Sequence, residues 1–179
     1  DNVGDCVGDT AGMGADIFES YVGAMTSAVI LSMTSGLGLN VITLPLVLSA
    51  LGLIGSAVGI AFGFVVKQSP AALLRNATYI AMTTFIACAY GYINYSGIDM
   101  VYFWAVIIGC VSGVVIGGIT EYYTGGKPMH DIAASSESGA ATNLIYGLSV
   151  GMESTVAPVL FLSGAMLLAY TCGGGLLGV

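Results

Sequence analysis

The sequence predicts an all-α membrane protein, a polytopic transmembrane bundle of about five spanning helices. Three observations carry this. Charged residues are 7% and hydrophobic residues 56% of the chain, whereas soluble domains carry about 25% charged residues. Mean hydropathy is +0.94. Apolar runs recur at the roughly 20-residue length that a spanning helix needs. A chain so poor in charge cannot clothe a solvated surface, so lipid is its solvent. The 27 glycines suit such a bundle, because small residues let helix backbones approach closely.

The expected spans are 9–33, 41–66, 73–93, 100–122 and 139–171. The first stops at Thr34-Ser35-Gly36, and the second at Lys67-Gln68-Ser69-Pro70. The third runs out among Asn94, Ser96, Gly97 and Asp99. The fourth closes on Glu121-Tyr122-Tyr123-Thr124-Gly125-Gly126, and the fifth is long enough to tilt or to pass beyond the bilayer. Residues 124–138 read as a polar loop, with His130 a solvated loop residue beside Lys127, Asp131 and Glu137. Glycines at four-residue spacing, Gly55/Gly59/Gly63 and Gly109/Gly113/Gly117, read as helix-packing faces. Pro45 and Pro158 mark kinks or helix ends. Glu153, inside the fifth span, reads either as a functional candidate, as acids within spans are by default, or as a hydrogen-bonding bridge between helices. Trp104 and the tyrosines near span ends read as interfacial anchors.

Charge orients these spans. All three cations, Lys67, Arg75 and Lys127, fall in loops on the side where the first span begins. The loops on the other side hold none, so the positive-inside rule makes the first side cytoplasmic. Without a basic patch, nucleic-acid binding has no support. Cys6, Cys88, Cys110 and Cys172 lack CxxC spacing and read as small hydrophobes rather than metal ligands or disulfide partners. The chain opens on Asp and reads as an internal excerpt of a longer protein, with no signal peptide expected.

Net charge is -7, and five of the ten carboxylates stand in the first nineteen residues: Asp1, Asp5, Asp9, Asp16 and Glu19. With Asp5 set at zero and about 100° per residue, Asp16 falls near 20°, Asp9 near 40° and Ser20 near 60°, while Asp1 and Glu19 fall near -40°. All five acids and one hydroxyl thus share an arc of roughly 100°. The stripe from Asp1 to Glu19 is about 27 Å long, nearly a membrane thickness. Its outer cluster, Asp1, Asp5 and Asp9, suits Mg²⁺, which takes one or two carboxylates per ion together with waters and substrate phosphates. Such ions neutralise phosphate charge and activate water. A solvated acidic helix start, favoured by the helix dipole, is equally compatible with these residue types. The inner cluster lies deeper. Acids inside a span are costly and mark ion paths. Asp16 and Glu19, three apart, with Ser20 beside them, form an oxygen site for a small cation or a proton-sharing pair.

The run Asp1-Asn2-Val3-Gly4-Asp5-Cys6-Val7-Gly8-Asp9-Thr10-Ala11-Gly12-Met13-Gly14-Ala15-Asp16 closely resembles the signature of membrane-bound pyrophosphatases, the pyrophosphate-energised ion pumps. Cys6 replaces a common Asn, off the acidic face. Further agreement lies in Glu121-Tyr122-Tyr123-Thr124, in Ser135-Ser136 through Thr142-Asn143, and in Gly151-Met152-Glu153-Ser154-Thr155. The resemblance spans the whole chain and implies roughly the sixth through tenth of about sixteen helices. It implies an enzyme that hydrolyses cytosolic Mg-pyrophosphate and exports Na⁺ or H⁺, works as a homodimer, and is inactive as this excerpt alone. Mg²⁺ is the implied cofactor, with K⁺ and Na⁺ as candidates.

By motif, Asp1 and Asp5 would bind Mg-pyrophosphate, and Asp9 would hold the nucleophilic water as general base. Asp16, Glu19 and Ser20 would form the ion gate. Glu19 three residues after Asp16, with Gly23 where plant-type proton pumps carry the gate glutamate, leans the expectation to Na⁺. An H⁺ pump of the same family is the alternative. From residue chemistry alone, a non-hydrolytic cation channel or secondary transporter with an acidic vestibule also remains, as does a purely structural membrane segment.

Overall fold

The computed structural model describes residues 2–36, 38–66 and 69–179, with backbone alone at 70 and 71. Asp1 and Lys67 therefore lie outside the described residues. Among the described residues six α-helices follow one another: α1 Asn2–Thr34, α2 Leu39–Val65, α3 Pro70–Ser96, α4 Met100–Gly125, α5 Lys127–Ser135 and α6 Ala140–Cys172. No strand occurs among the described residues. The all-α expectation holds. Among the described residues four stretches are long and apolar enough to cross a membrane: Asn2–Thr34, Leu39–Val65, Met100–Ser138 and Ala140–Cys172. The third expected span is helical, as α3, but falls short of that apolarity. It carries Arg75, Asn76, Asn94, four tyrosines and three threonines.

The chain divides into two compact units, one ending at Asp99 and the other Met100–Val179. In the first, α2 packs on α3 through the predicted glycine face. Gly55 and Gly59 are buried. A Cβ at Gly55 would stand 2.8 Å from the Ala81 carbonyl oxygen, and one at Gly59 would stand 2.7 Å from that of Ala77. The absent side chains let the two backbones touch. Around this seam Leu44 and Ala89 are buried, and Ile93 is fully enclosed. Pro45 lies inside α2 without ending it. Gly97, at φ +66°, ends α3 in the left-handed conformation that glycine adopts without Cβ strain. The N–H of the buried Ile98 then bonds the Ile93 carbonyl at 3.3 Å.

In the second unit α4 packs on α6, and α5 fills the connection between them. The polar loop expected at 124–138 is instead mostly helical, as α5 and a single 3-10 turn at Ser136–Ser138. Its polar residues hid a helix whose first turn carries Pro128, a residue pre-set for that position. Gly126 makes the sharp turn into it, where a Cβ would strike the Tyr122 carbonyl. His130 is therefore an exposed helical residue. The Ser135 hydroxyl donates to Asn143 Oδ1 at 3.1 Å, fastening α5 to the start of α6. Glu153 bridges helices as expected, accepting from the Tyr123 hydroxyl at 3.2 Å. The glycine face on α4 is uncovered among the described residues. Gly109, Gly113 and Gly117 are exposed and have nothing within 4 Å of a built Cβ. Four-residue spacing makes a helix face smooth, but it does not say which neighbour covers it.

Candidate active site and ion gate

α1 is one unbroken helix from Asn2 to Thr34. Its first half includes Gly4, Gly8, Gly12 and Gly14, each costing about 1 kcal/mol of helix propensity relative to alanine. Propensity is therefore not what selects this helix; an apolar surrounding that demands internal backbone hydrogen bonds is. Val3, Val7, Met13, Ile17 and Phe18 are all exposed, so this half has little cover from its own unit.

Helical continuity places Asp5, Asp9, Asp16, Glu19 and Ser20 on one face, within the expected arc of about 100°. From Asp5 to Glu19 that face is about 21 Å long. The packed residues of α1 are the half-buried Met25, Ala28, Val29 and Leu31 and the buried Ser32. Met25, Ala28, Val29 and Ser32 fall between about 140° and 240° on the same wheel, with Leu31 at the margin near 80°. The acidic face thus points away from the face by which α1 packs. Every one of its acids is exposed.

Asp5 and Asp9 stand one turn apart and have no hydrogen bond or ion pair among the described residues. Two uncommitted carboxylates at that spacing fit the donor habit of Mg²⁺, which completes its shell with water and substrate phosphate. No group of three or more His, Cys, Asp or Glu gathers among the described residues. α1 therefore offers an open shelf of oxygens and not a closed cage. Asp1, expected as the third member, lies outside the described residues.

Deeper along α1, Asp16, Ile17, Ser20 and Tyr21 line a shallow concavity of about 420 Å³. The structure brings Asp16 and Ser20 together there; Glu19 is on the same helical face but outside the lining. Ser20 stands apart from the other serine and threonine residues of this helix. Thr10, Thr26, Ser27, Ser32 and Thr34 all turn their hydroxyls back onto carbonyls of their own helix, at 2.8 to 2.9 Å. Ser20 makes no such bond among the described residues. Tyr21 was not singled out from the sequence. Its hydroxyl donates to the Ser49 carbonyl of α2 at 3.2 Å. A wheel position near 160° is its only sequence signal.

The sequence profile of the family described as inorganic H⁺ pyrophosphatase matches residues 1–179. The chain belongs to that family. Among similar proteins of this family, one from Clostridium tetani, provisionally named a K⁺-stimulated pyrophosphate-energized sodium pump, is 42% identical over 98% of this chain. A K⁺-insensitive pyrophosphate-energized proton pump 2 of Moorella thermoacetica is 41% identical over 99% of the chain. A K⁺-insensitive pyrophosphate-energized proton pump of Methanosarcina mazei is 39% identical over 98%. The chain spans 27%, 29% and 27% of the lengths of these three relatives. By their names, the relatives differ in both transported ion and response to K⁺.

Proposed function

We propose that the protein carrying this chain is a pyrophosphate-energised primary pump that hydrolyses Mg-pyrophosphate at the cytoplasmic mouth of α1 and exports Na⁺. The observation that carries the reading is the uncovered acidic face of α1, set opposite its packed face, in a chain of the inorganic H⁺ pyrophosphatase family. Asp1, Asp5 and Asp9 would hold Mg²⁺, which would offset phosphate charge and make the attacking water easier to deprotonate. Asp9 orients the attacking water and takes its proton. Asp5, with Asp1, would help bind Mg-pyrophosphate. Asp16 and Ser20, with Glu19 beside them, receive the travelling cation about 10 Å or more further along the helix. All five expected spans, α3 included, cross the bilayer, with the first beginning on the cytoplasmic side. A homodimer is the assembly implied by resemblance.

A second reading, H⁺ as the cargo, is favoured by the two proton-pump relatives at 41% and 39% identity. Glu19 and Gly23 favour Na⁺. A channel or secondary transporter gives no account of Asp5 and Asp9 above the gate. Pyrophosphate-driven ²²Na⁺ uptake into vesicles containing the full-length protein tests the choice. Uptake that survives a protonophore supports Na⁺; hydrolysis indifferent to Na⁺, with acidification of the lumen, supports H⁺.

A further inference from the structure

We infer that Tyr21 is a positioning residue for the transported cation, holding α1 in the rotation that presents Asp16 and Ser20. This rests on the pump reading above and extends it to a side chain that the motif does not include.

Tyr21 belongs to both halves of the local geometry. It lines the concavity with Asp16, Ile17 and Ser20. Its hydroxyl is fixed to α2 through the Ser49 carbonyl at 3.2 Å. The receiving surface is suited to it. A Cβ at Gly52 would stand 3.9 Å from the Tyr21 hydroxyl oxygen, so the hydroxyl sits directly over a glycine one turn beyond the bonded carbonyl. Ser49 keeps its own hydroxyl out of the way, donating to the Pro45 carbonyl at 2.8 Å. The Ser49 carbonyl is thereby left to serve both its own helix and the incoming phenol, as its two lone pairs allow.

The consequence is rotational. Asp16–Ser20 and Ile17–Tyr21 are adjacent one-turn ridges on α1. Fixing one ridge to α2 fixes the other relative to it. Ser20, the hydroxyl that makes no bond to its own helix, is then held at the rim with Asp16 and is free to offer an oxygen outward. Without the Tyr21 hydrogen bond, α1 is held by its packing further along, at Met25, Ala28, Val29 and Ser32, and the two oxygens spread over more orientations at this level. The site loses cation affinity while the aspartates at the mouth keep their chemistry.

The test uses membranes containing the full-length protein, with pyrophosphate hydrolysis followed against Na⁺ concentration. Tyr21→Phe keeps the ring and removes the hydroxyl. It is expected to raise the half-saturating Na⁺ concentration about three- to tenfold, the span that loss of one hydrogen bond allows. Maximal rate and the KM for Mg-pyrophosphate stay within about twofold, a separation that a general loss of packing would not give. Gly52→Leu, which fills the seat of the phenol, is expected to move Na⁺ response the same way. Gly52→Ala, whose Cβ makes ordinary contact, leaves it unchanged. These glycine variants decide the matter if Tyr21→Phe does not accumulate.

Asp16→Asn and Glu19→Ala separate the two layers of the argument. If they shift the Na⁺ response and Tyr21→Phe does not, the role of Tyr21 is overturned and the gate stands. If Asp16→Asn and Glu19→Ala leave the response unaltered, the gate reading falls and takes this inference with it. For a protein indifferent to Na⁺, the pH of half-maximal proton uptake replaces Na⁺ concentration, with the same expected and contrary results.

Discussion

Gly59 of α2 meets Ala77 of α3 backbone to backbone: a Cβ on Gly59 would lie 2.7 Å from the Ala77 carbonyl oxygen and 3.1 Å from the Ala81 Cβ. Real Cβ atoms do not approach so near, so Gly59→Ala must push the helices apart. Overpacking of this kind costs about 1–3 kcal/mol. Gly55→Ala meets the Ala81 carbonyl at 2.8 Å and is expected to cost as much. Gly63, on the same stripe, has only Leu73 side-chain atoms at 4.0 Å. Gly63→Ala is therefore near neutral. Thermal unfolding of the detergent-solubilised full-length protein checks the contrast, and equal losses at Gly59 and Gly63 would contradict it.

The hydrogen bond from Tyr123 to Glu153 joins α4 to α6 at 3.2 Å, between partly open side chains. Tyr123→Phe is expected to lower the melting temperature slightly and to leave hydrolysis unchanged. Glu153→Gln keeps an acceptor oxygen and is expected to cost less than Glu153→Ala. A large loss of hydrolysis in Tyr123→Phe, with the protein intact, would show that this pair does more than fasten helices.

Gate and hydrolytic residues are expected to separate in their kinetics. Glu19→Ala removes an oxygen from the acidic face without touching the mouth of α1. It is expected to abolish Na⁺ activation of hydrolysis or raise its half-saturation by at least about tenfold. Hydrolysis at saturating Mg-pyrophosphate persists, now poorly coupled to uptake. Parallel assays of phosphate release and ²²Na⁺ uptake measure the coupling. A variant retaining the wild-type ratio of ions to phosphate would remove Glu19 from the ion path.

Much of this arrangement was legible in the residues. Apolar length alone located α2, α4 and α6 to within about three residues at each end, because lipid leaves the backbone no alternative to a helix. The acidic face followed from the 3.6-residue period, and the structure keeps it in one continuous α1. Short-range polarity misled at 124–138, where Lys127, His130 and Asp131 suggested a loop; Pro128 and the Ile132-Ala133-Ala134 run were the helical signals. Tertiary facts were the least legible. The Gly55/Gly59 and Gly109/Gly113 patterns look alike in sequence, yet the first pair is pressed against α3 and the second lies open. Tyr21 shares this limit: its role depends on Ser49, 28 residues away, and no local period reports such a pairing.

Mg²⁺-dependent pyrophosphate hydrolysis by full-length Asp9→Ala, assayed in membranes beside wild type, bears most directly on the claim that the acidic face of α1 carries the chemistry. Loss of a positioned general base predicts a rate lower by at least about 100-fold, with the protein present at normal amounts and unfolding at the normal temperature. Hydrolysis at the wild-type rate would contradict the claim, since an exposed acid at a helix start would then be no more than a charged surface.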